Sequence, residues 1–330
     1  MPNNLRRSKR VVRRCAFYVV AVIVVAVALM TSHAAVAQSC TAAGPALTLG
    51  TVNPYAGTST TTSGNGSYNC VNPTAAAVTG YACVSVGTGS GGTSATNRTL
   101  ASGTSKLPIS ITAGGASGQV GNGTSYPMQG PIVITIAANG SKAGTFPLAV
   151  TLPPPASGPP PGSYTSSFAT TDAQFIYYTG SATTTCATLN AGTYLTTQAN
   201  FSVSATIATQ CTVASSSMAF PISSVLTQPK SATATVSVTC NASIPVTIGL
   251  DNGATGTGPT ARNMKSGANA ITYGIYRDVA ASLPWGNIAG TNTASLSSGT
   301  GTVTAYGQVP AQASPPPGSY ADVVNVIITY

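Results

Sequence analysis

The chain contains no glutamate, a single histidine (His33) and a single tryptophan (Trp285). Only 5% of its 330 residues are charged. These shortages exclude most catalytic chemistry. Acid–base and metal-assisted mechanisms draw on His, Glu and Asp. Here four aspartates, Asp172, Asp251, Asp278 and Asp322, stand singly along the chain. They sit at expected turns and strand ends, where a carboxylate accepts backbone hydrogen bonds, with Arg262 and Arg277 as possible partners. A zinc site would want C-x-x-C spacing or histidines, and neither is present once the N-terminal segment is removed. The glycine-rich run from Gly87 to Gly92 lacks the Lys-Ser/Thr of a phosphate loop. The sequence therefore reads as a non-enzyme with no cofactor and no metal.

What is present begins with an export signal over residues 1–37. Arg6, Arg7, Lys9, Arg10, Arg13 and Arg14 precede an apolar run from Cys15 to Met30. Ala35-Val36-Ala37 then supplies a small-x-small cleavage site. The run is short for a membrane span, and cleavage follows at once. A lipoprotein start at Cys40 would want a larger aliphatic residue three positions earlier, where Ala37 stands. Beyond the signal, seven cations face four carboxylates, a net charge of +3 without any basic cluster. Phosphate neutralisation needs such a cluster, so no nucleic-acid partner is expected.

The hexapeptide Pro-Pro-Pro-Gly-Ser-Tyr occurs twice, ending at Tyr164 and at Tyr320. Other matches follow in the same order. Cys40 meets Cys211, and residues 66–70 meet 236–240. Arg98-Thr99-Leu100 meets Arg262-Asn263-Met264, and Val120-Gly121-Asn122 meets Trp285-Gly286-Asn287. Two related modules follow, over 38–198 and 211–330, joined by 199–210. Six cysteines in an exported chain point to disulfides, with fifteen possible pairings. Cys40 and Cys70 are 30 apart, and Cys211 and Cys240 are 29 apart. The repeat therefore favours these two pairs, leaving Cys83 with Cys186. Alternating apolar and small polar residues, as in Val246-Thr247-Ile248 and Ile132-Val133-Ile134, give period-two strands. Turn-forming residues punctuate them, so the fold class is all-β, with β-sandwiches.

The second half carries a series of motifs. Cys211-Thr212-Val213 is followed by Cys240 and by Leu250-Asp251-Asn252-Gly253. Then come Arg262-Asn263-Met264, Tyr273-Gly274-Ile275-Tyr276-Arg277-Asp278, Trp285-Gly286-Asn287, Tyr306-Gly307-Gln308-Val309-Pro310 and Gly318-Ser319-Tyr320-Ala321-Asp322. In these motifs the chain resembles the spore coat protein U domain family, the subunits of archaic chaperone–usher pili. The first half resembles it weakly, lacking the Tyr-x-x-Tyr-Arg-Asp element and the tryptophan. The resemblance implies two immunoglobulin-like sandwiches, the C-terminal one lacking its last strand. It also implies a periplasmic chaperone, an outer-membrane usher and an adjacent pilin subunit as partners.

In such an assembly an alternating strand ahead of the first cysteine is given to a neighbour. Phe201, Val203, Ala205 and Ile207 ahead of Cys211 have that pattern, and are expected to complete the first module in cis; an ordinary linker is the alternative. Ahead of Cys40 only Gln38 and Ser39 remain after cleavage. Val324, Val326, Ile328 and Tyr330 form the expected acceptor edge, because an apolar strand at an unfilled sheet edge invites pairing. A subunit that accepts but does not donate stands at a fibre tip. The expected function is a tip adhesin on the cell surface, serving attachment and biofilm formation; the alternative is a shaft or spore-coat-type subunit. Apolar loops of the first module are the candidate contacts to a hydrophobic or host surface: Tyr55, Tyr126, Met128, Leu152, Pro153, Pro154 and Pro155. Sugar binding through Tyr and Asn side chains is the rival.

Overall fold

The computed structural model describes residues 38–94, 97–114, 118–123, 126–155, 158–179, 186 and 194–330. The expected signal segment lies outside them. The described chain is all-β apart from one 3-10 turn, Thr170–Asp172. Residues 39–207 supply β1 (Ser39–Ala43), β2 (Ala46–Val52), β3 (Thr60–Asn72), β4 (Val78–Val86), β5 (Thr93–Ser94), β6 (Asn97–Ser102) and β7 (Ser105–Thr112). They continue with β8 (Gln129–Ile136), β9 (Gly140–Leu152), β10 (Gly162–Phe168), β11 (Ala173–Tyr178), β12 (Leu195–Gln198) and β13 (Phe201–Ile207). Residues 211–329 supply β14 (Cys211–Ser215), β15 (Lys230–Cys240), β16 (Val246–Leu250), β17 (Arg262–Ser266), β18 (Asn269–Tyr276), β19 (Ala294–Leu296), β20 (Thr300–Val309) and β21 (Val326–Thr329).

Each set encloses its own core. In the first, a sheet ordered β1-β3-β9-β7-β6-β10-β13-β2 faces one ordered β12-β11-β4-β8. Phe146, Leu148, Val150 and Leu152 alternate with more exposed residues along β9, and all four are buried. That is the period-two pattern of a strand with one face inward. Across the sandwich Phe175 of β11 stacks on Tyr68 of β3 at 5.0 Å and lies 6.0 Å from Phe146. Each buried ring contributes on the order of 1.5–3 kcal/mol. Gly66 is needed beneath one of them, because a Cβ there would come 2.2 Å from Phe146 Cζ.

In the second set, β14-β15-β20-β18-β17 faces β19-β16-β21. The strands of the second set have counterparts in the first. β7 pairs with β6 at its start and with β9 at its end, switching partners as corner strands of sandwiches do. β18 does the same between β17 and β20. Cys40 lies opposite Cys70 across β1 and β3, and Cys211 opposite Cys240 across β14 and β15; both pairs are disulfides with Cα atoms 4.0 Å apart. Cys83 on β4 is bonded to Cys186. Within the expected linker and donor segment 199–210, β13 is a strand inside the first sheet, and residues 208–210 connect it to β14. Its alternation put it there: a strand with one apolar face is held by a core, not by solvent.

Candidate functional site

Two buried arginines fix the frame on which the site is built. Arg262, fully buried, donates to the carbonyls of Asp251, Pro259 and Trp285 at 2.6–2.8 Å and reaches that of Leu250. Its counterpart Arg98 donates to the carbonyls of Gly87, Val86 and Val120. Burial pulls both guanidiniums below their usual pKa, with nearby charges opposing the shift; they remain cations. Arg262 does not pair with a carboxylate, and Arg277 donates to the carbonyls of Thr293 and Thr291. A planar guanidinium with five donors holds several carbonyls at once, which explains this use. Trp285 is fully buried, with its indole N–H on the Ile248 carbonyl.

Three residues after Arg98, Ala101 pairs with Thr165 of β10. Three after Arg262, Lys265 pairs with Ala321. Residues 320–324 are thereby the counterpart of β10. In the first module β10 has a second neighbour. β13 runs antiparallel to it, from Phe168 opposite Phe201 to Gly162 opposite Ile207. On its other side β13 runs parallel to β2. Phe201, Val203, Ala205 and Ile207 all point into the core, with Phe201 stacked on Phe168 at 4.6 Å. Tyr164 lies opposite Ala205 and is fully buried.

The second module has a groove at the corresponding place, with a volume of about 340 Å³. Tyr320, Asp322 and Val324 form one wall, and Ser215 to Met218 and Phe220 the other. These walls are the counterparts of β10 and of the β1–β2 segment. Val236, Leu250, Ile275 and Ala305 form the floor. Met218 and Phe220 reach over Gly307, where a Cβ would come 2.2 Å from Met218 Sδ. The Tyr273 hydroxyl donates to Asp322 Oδ2 at 2.8 Å, and Oδ1 accepts the N–H groups of Ala254 and Val323. Burial, then that hydrogen bond, push the Tyr273 phenol well above its usual pKa. The groove thus has an apolar floor, with serines, tyrosines and one anchored carboxylate along its walls.

The residues expected to matter are distributed differently from the sequence reading. Val324 and Val326 line the groove. Val326 and Ile328 both lie on β21, which pairs with β16 at the end of its sheet, and both pack on the core; Tyr330 is exposed. Among the expected surface contacts, Leu152 is buried on β9. Met128 packs against Cys83, Tyr178 and Cys186. The Tyr126 hydroxyl accepts from Gln119, and its ring lies 5.8 Å from the Arg98 guanidinium carbon. Tyr55 is half-buried against Gly158 and Asn241. Pro153 and Pro154 are exposed and Pro155 half-buried. Their loop faces the second module, since Asn241 donates to the Pro159 carbonyl. Composition alone does not separate an apolar loop from a core strand, and gives no sign of which end of a sandwich meets its neighbour.

The opposite end of the first module is built by Asn72, which is fully buried. Its Nδ2 donates to the carbonyls of Ala76 and Ala137, and its Oδ1 accepts the Thr74 N–H. Asn139 N–H closes the pair of loops on the Thr74 carbonyl. Ala75, Ala76, Ala77, Ala137 and Ala138 are exposed there. β3 and β9 separate this end from the proline loop by about 40 Å at the usual strand rise. Sequence reasoning missed these alanines, and it missed Tyr320, Asp322, Met218 and Phe220 as groove residues. Extending the repeat alignment through β2 and β10 was the signal that could have found the groove.

A family model for the Spore Coat Protein U domain matches residues 26–171 and 197–327. No curated protein matches. Among solved structures, the chaperone–tip adhesion subunit pre-assembly complex CsuC–CsuE, from archaic Csu pili of Acinetobacter baumannii, is similar at 16% identity and a TM-score of 0.47. The match covers 88% of this chain and 100% of that chain. A chaperone–tip adhesin complex of CFA/I fimbriae is similar at 10% identity and a TM-score of 0.26, over 87% of this chain and 96% of that one. Salmonella enterica SafA pilin with the SafB chaperone gives 9% identity and a TM-score of 0.17, over 81% and 83%.

Proposed function

The chain belongs to the Spore Coat Protein U domain family, and from that premise we propose that it is a subunit of a chaperone–usher pilus, standing at the fibre tip. The observation that carries this reading is the pair Tyr164 and Tyr320. Both end the same hexapeptide, but β13 covers the first while the second lines an open groove. The second module takes a strand from the adjacent subunit where the first module uses its own Phe201, Val203, Ala205 and Ile207. Before assembly, a periplasmic chaperone covers the same groove, and an outer-membrane usher receives the complex.

The tip position follows from an asymmetry in the sequence. Ahead of Cys211 lies the alternating strand Phe201–Ile207, whereas residues 31–39 hold one branched apolar residue, Val36, and no such alternation. The first module then faces outward, and its end away from the second module carries the exposed alanines of residues 75–77 and 137–138. These uncharged apolar loop tips suit adhesion to a hydrophobic surface and the start of a biofilm.

The test is periplasmic expression with and without the chaperone of its own pilus system, then melting with an added peptide spanning the shaft subunit's donor strand. Chaperone dependence and a raised melting temperature are expected. A stable, chaperone-independent monomer that ignores the peptide would overturn the reading. Replacing Ala76 and Ala138 by aspartate should lower adherence to polystyrene while leaving yield and melting unchanged.

A further inference from the structure

The proline loop of the first module is also the seat of the second module. Asn241, directly after Cys240, is nine-tenths buried there. Its Nδ2 donates to the carbonyls of Pro159 at 3.0 Å and Ala208 at 2.9 Å. Its Oδ1 accepts the Gln210 N–H at 2.8 Å, and its own N–H donates to the Gln210 carbonyl. Gly158 packs between Tyr55 and Asn241, where a Cβ would come 2.3 Å from the Tyr55 hydroxyl and 3.0 Å from Asn241 Cβ. One side chain, placed by the second cysteine of a disulfide, thus fastens a module to the hexapeptide loop of the module before it.

The base of the second module repeats this seat. By the repeat, Pro315 stands for Pro159, Ser314 for Gly158 and Leu226 for Tyr55. Leu226 N–H donates to Ser314 Oγ, and Gln312 N–H to the Leu226 carbonyl, so the two loops are tied together. The Tyr320 hydroxyl bonds the Pro316 carbonyl as the Tyr164 hydroxyl bonds that of Pro160. In the segment leading to Leu226, Ile222 is fully exposed and Val225 is 50% exposed. Among the described residues no donor reaches the Pro315 carbonyl.

We propose that this base is a docking seat for the next subunit. The partner is a protein of the same fold whose second cysteine is followed by asparagine, and that amide donates to the Pro315 carbonyl while its surroundings cover Ile222 and Val225. The proposal rests on the reading of the chain as a fibre subunit and goes beyond the groove, since it adds a second, side-chain-specific contact. It also excludes a second copy of this chain as the occupant. In the first module the residue after the second cysteine, Cys70, is Val71, whose side chain has no hydrogen to donate. Continuity with the internal junction identifies the partner's chemistry: an alternating strand, a three-residue spacer, a cysteine and, about 30 residues on, Cys-Asn.

The experiment places a photo-crosslinking phenylalanine analogue at position Ile222 of the full chain in cells that assemble the fibre, with a second probe at position Val323. Val323 is exposed beside the groove wall. The Ile222 probe is expected to join a different subunit of this fold, with the crosslinked peptide mapping beside its Cys-Asn pair. A crosslink to another copy of this chain, a crosslink elsewhere on a partner, or no crosslink at Ile222 would overturn the proposal. If the Val323 probe still captures a donor strand in those cases, only the docking seat fails. If Val323 captures nothing either, the fibre reading fails with it.

Discussion

The hydroxyl of Tyr164 donates to the carbonyl of Pro160 at 2.8 Å, and the hydroxyl of Tyr320 donates to the carbonyl of Pro316 at 2.7 Å. The two bonds span the same four residues, and they explain why the hexapeptide is repeated. Three prolines stiffen the loop, glycine opens the turn, and the tyrosine latches it from the following strand. Tyr164 has no exposed surface, whereas Tyr320 keeps part of its own. Water replaces a lost donor less readily at a partly buried bond than at an exposed one. Tyr164→Phe should therefore cost about 1 kcal/mol and Tyr320→Phe about 0.5 kcal/mol or less, read from urea unfolding of each variant.

Ala205 is the small member of the β13 face because Tyr164 lies opposite it. Ala205→Leu would push a branched side chain into a filled core. A loss of about 1–3 kcal/mol is expected in the first module, while Ser204→Leu on the half-exposed face of the same strand should cost clearly less. Unfolding followed by far-UV circular dichroism measures both.

Arg262→Met removes a cation that serves four carbonyls, two of them, Leu250 and Trp285, through buried bonds; Pro259 keeps the Ile275 N–H. The expected destabilisation of the second module is about 3 kcal/mol or more. Arg262→Lys should not restore it, because one ammonium does not reproduce the planar fork. The parallel Arg98→Met should act on the first module alone, a separation visible as two calorimetric transitions.

Asp251 ties β16 to the last strand. Burial tends to raise its pKa, but hydrogen bonds from Gly253 and from the side chain and backbone of Asn325 outweigh it, and Arg262 adds to them. The carboxyl is therefore held below its ordinary value. A folded pKa below the unfolded value gives stability that is complete above about pH 4 and lost as pH falls through the folded pKa. Near neutrality Asp251 should make melting temperature no steeper in pH, and below about pH 4 it should fall more steeply in the native protein than in Asp251→Asn.

The Cys83–Cys186 bridge closes 103 residues and the Cys40–Cys70 bridge 30. Loop-closure entropy alone makes the first worth about 4.7 kcal/mol and the second about 3.6 kcal/mol. Replacing Cys83 and Cys186 by serine should cost about 1 kcal/mol more than replacing Cys40 and Cys70, measured by urea midpoints of the paired variants.

The sequence by itself determined the all-β class, the duplication and the partners of its cysteines, because these are local or pairwise properties. Period-two alternation in β9 and β13 follows from the pleat, and nearly equal cysteine spacings, 30 and 29, place each pair across corresponding strands. Whether an apolar residue lies in a loop or a core was not legible. Leu152 and Tyr126 looked like surface contacts, yet one is a core strand residue and the other packs beside Arg98, because burial depends on the strand paired alongside. The groove was legible only as an edge at Val324 and Val326. Its walls come from residues 215–220 and 320–324, about a hundred positions apart, and only the tertiary structure brings them together. That structure also decided which end of the first module is free. The direction of β13 carries the chain to Asn241 at one end and leaves the alanine loops at the other, a relation fixed by strand order and polarity that no local pattern encodes.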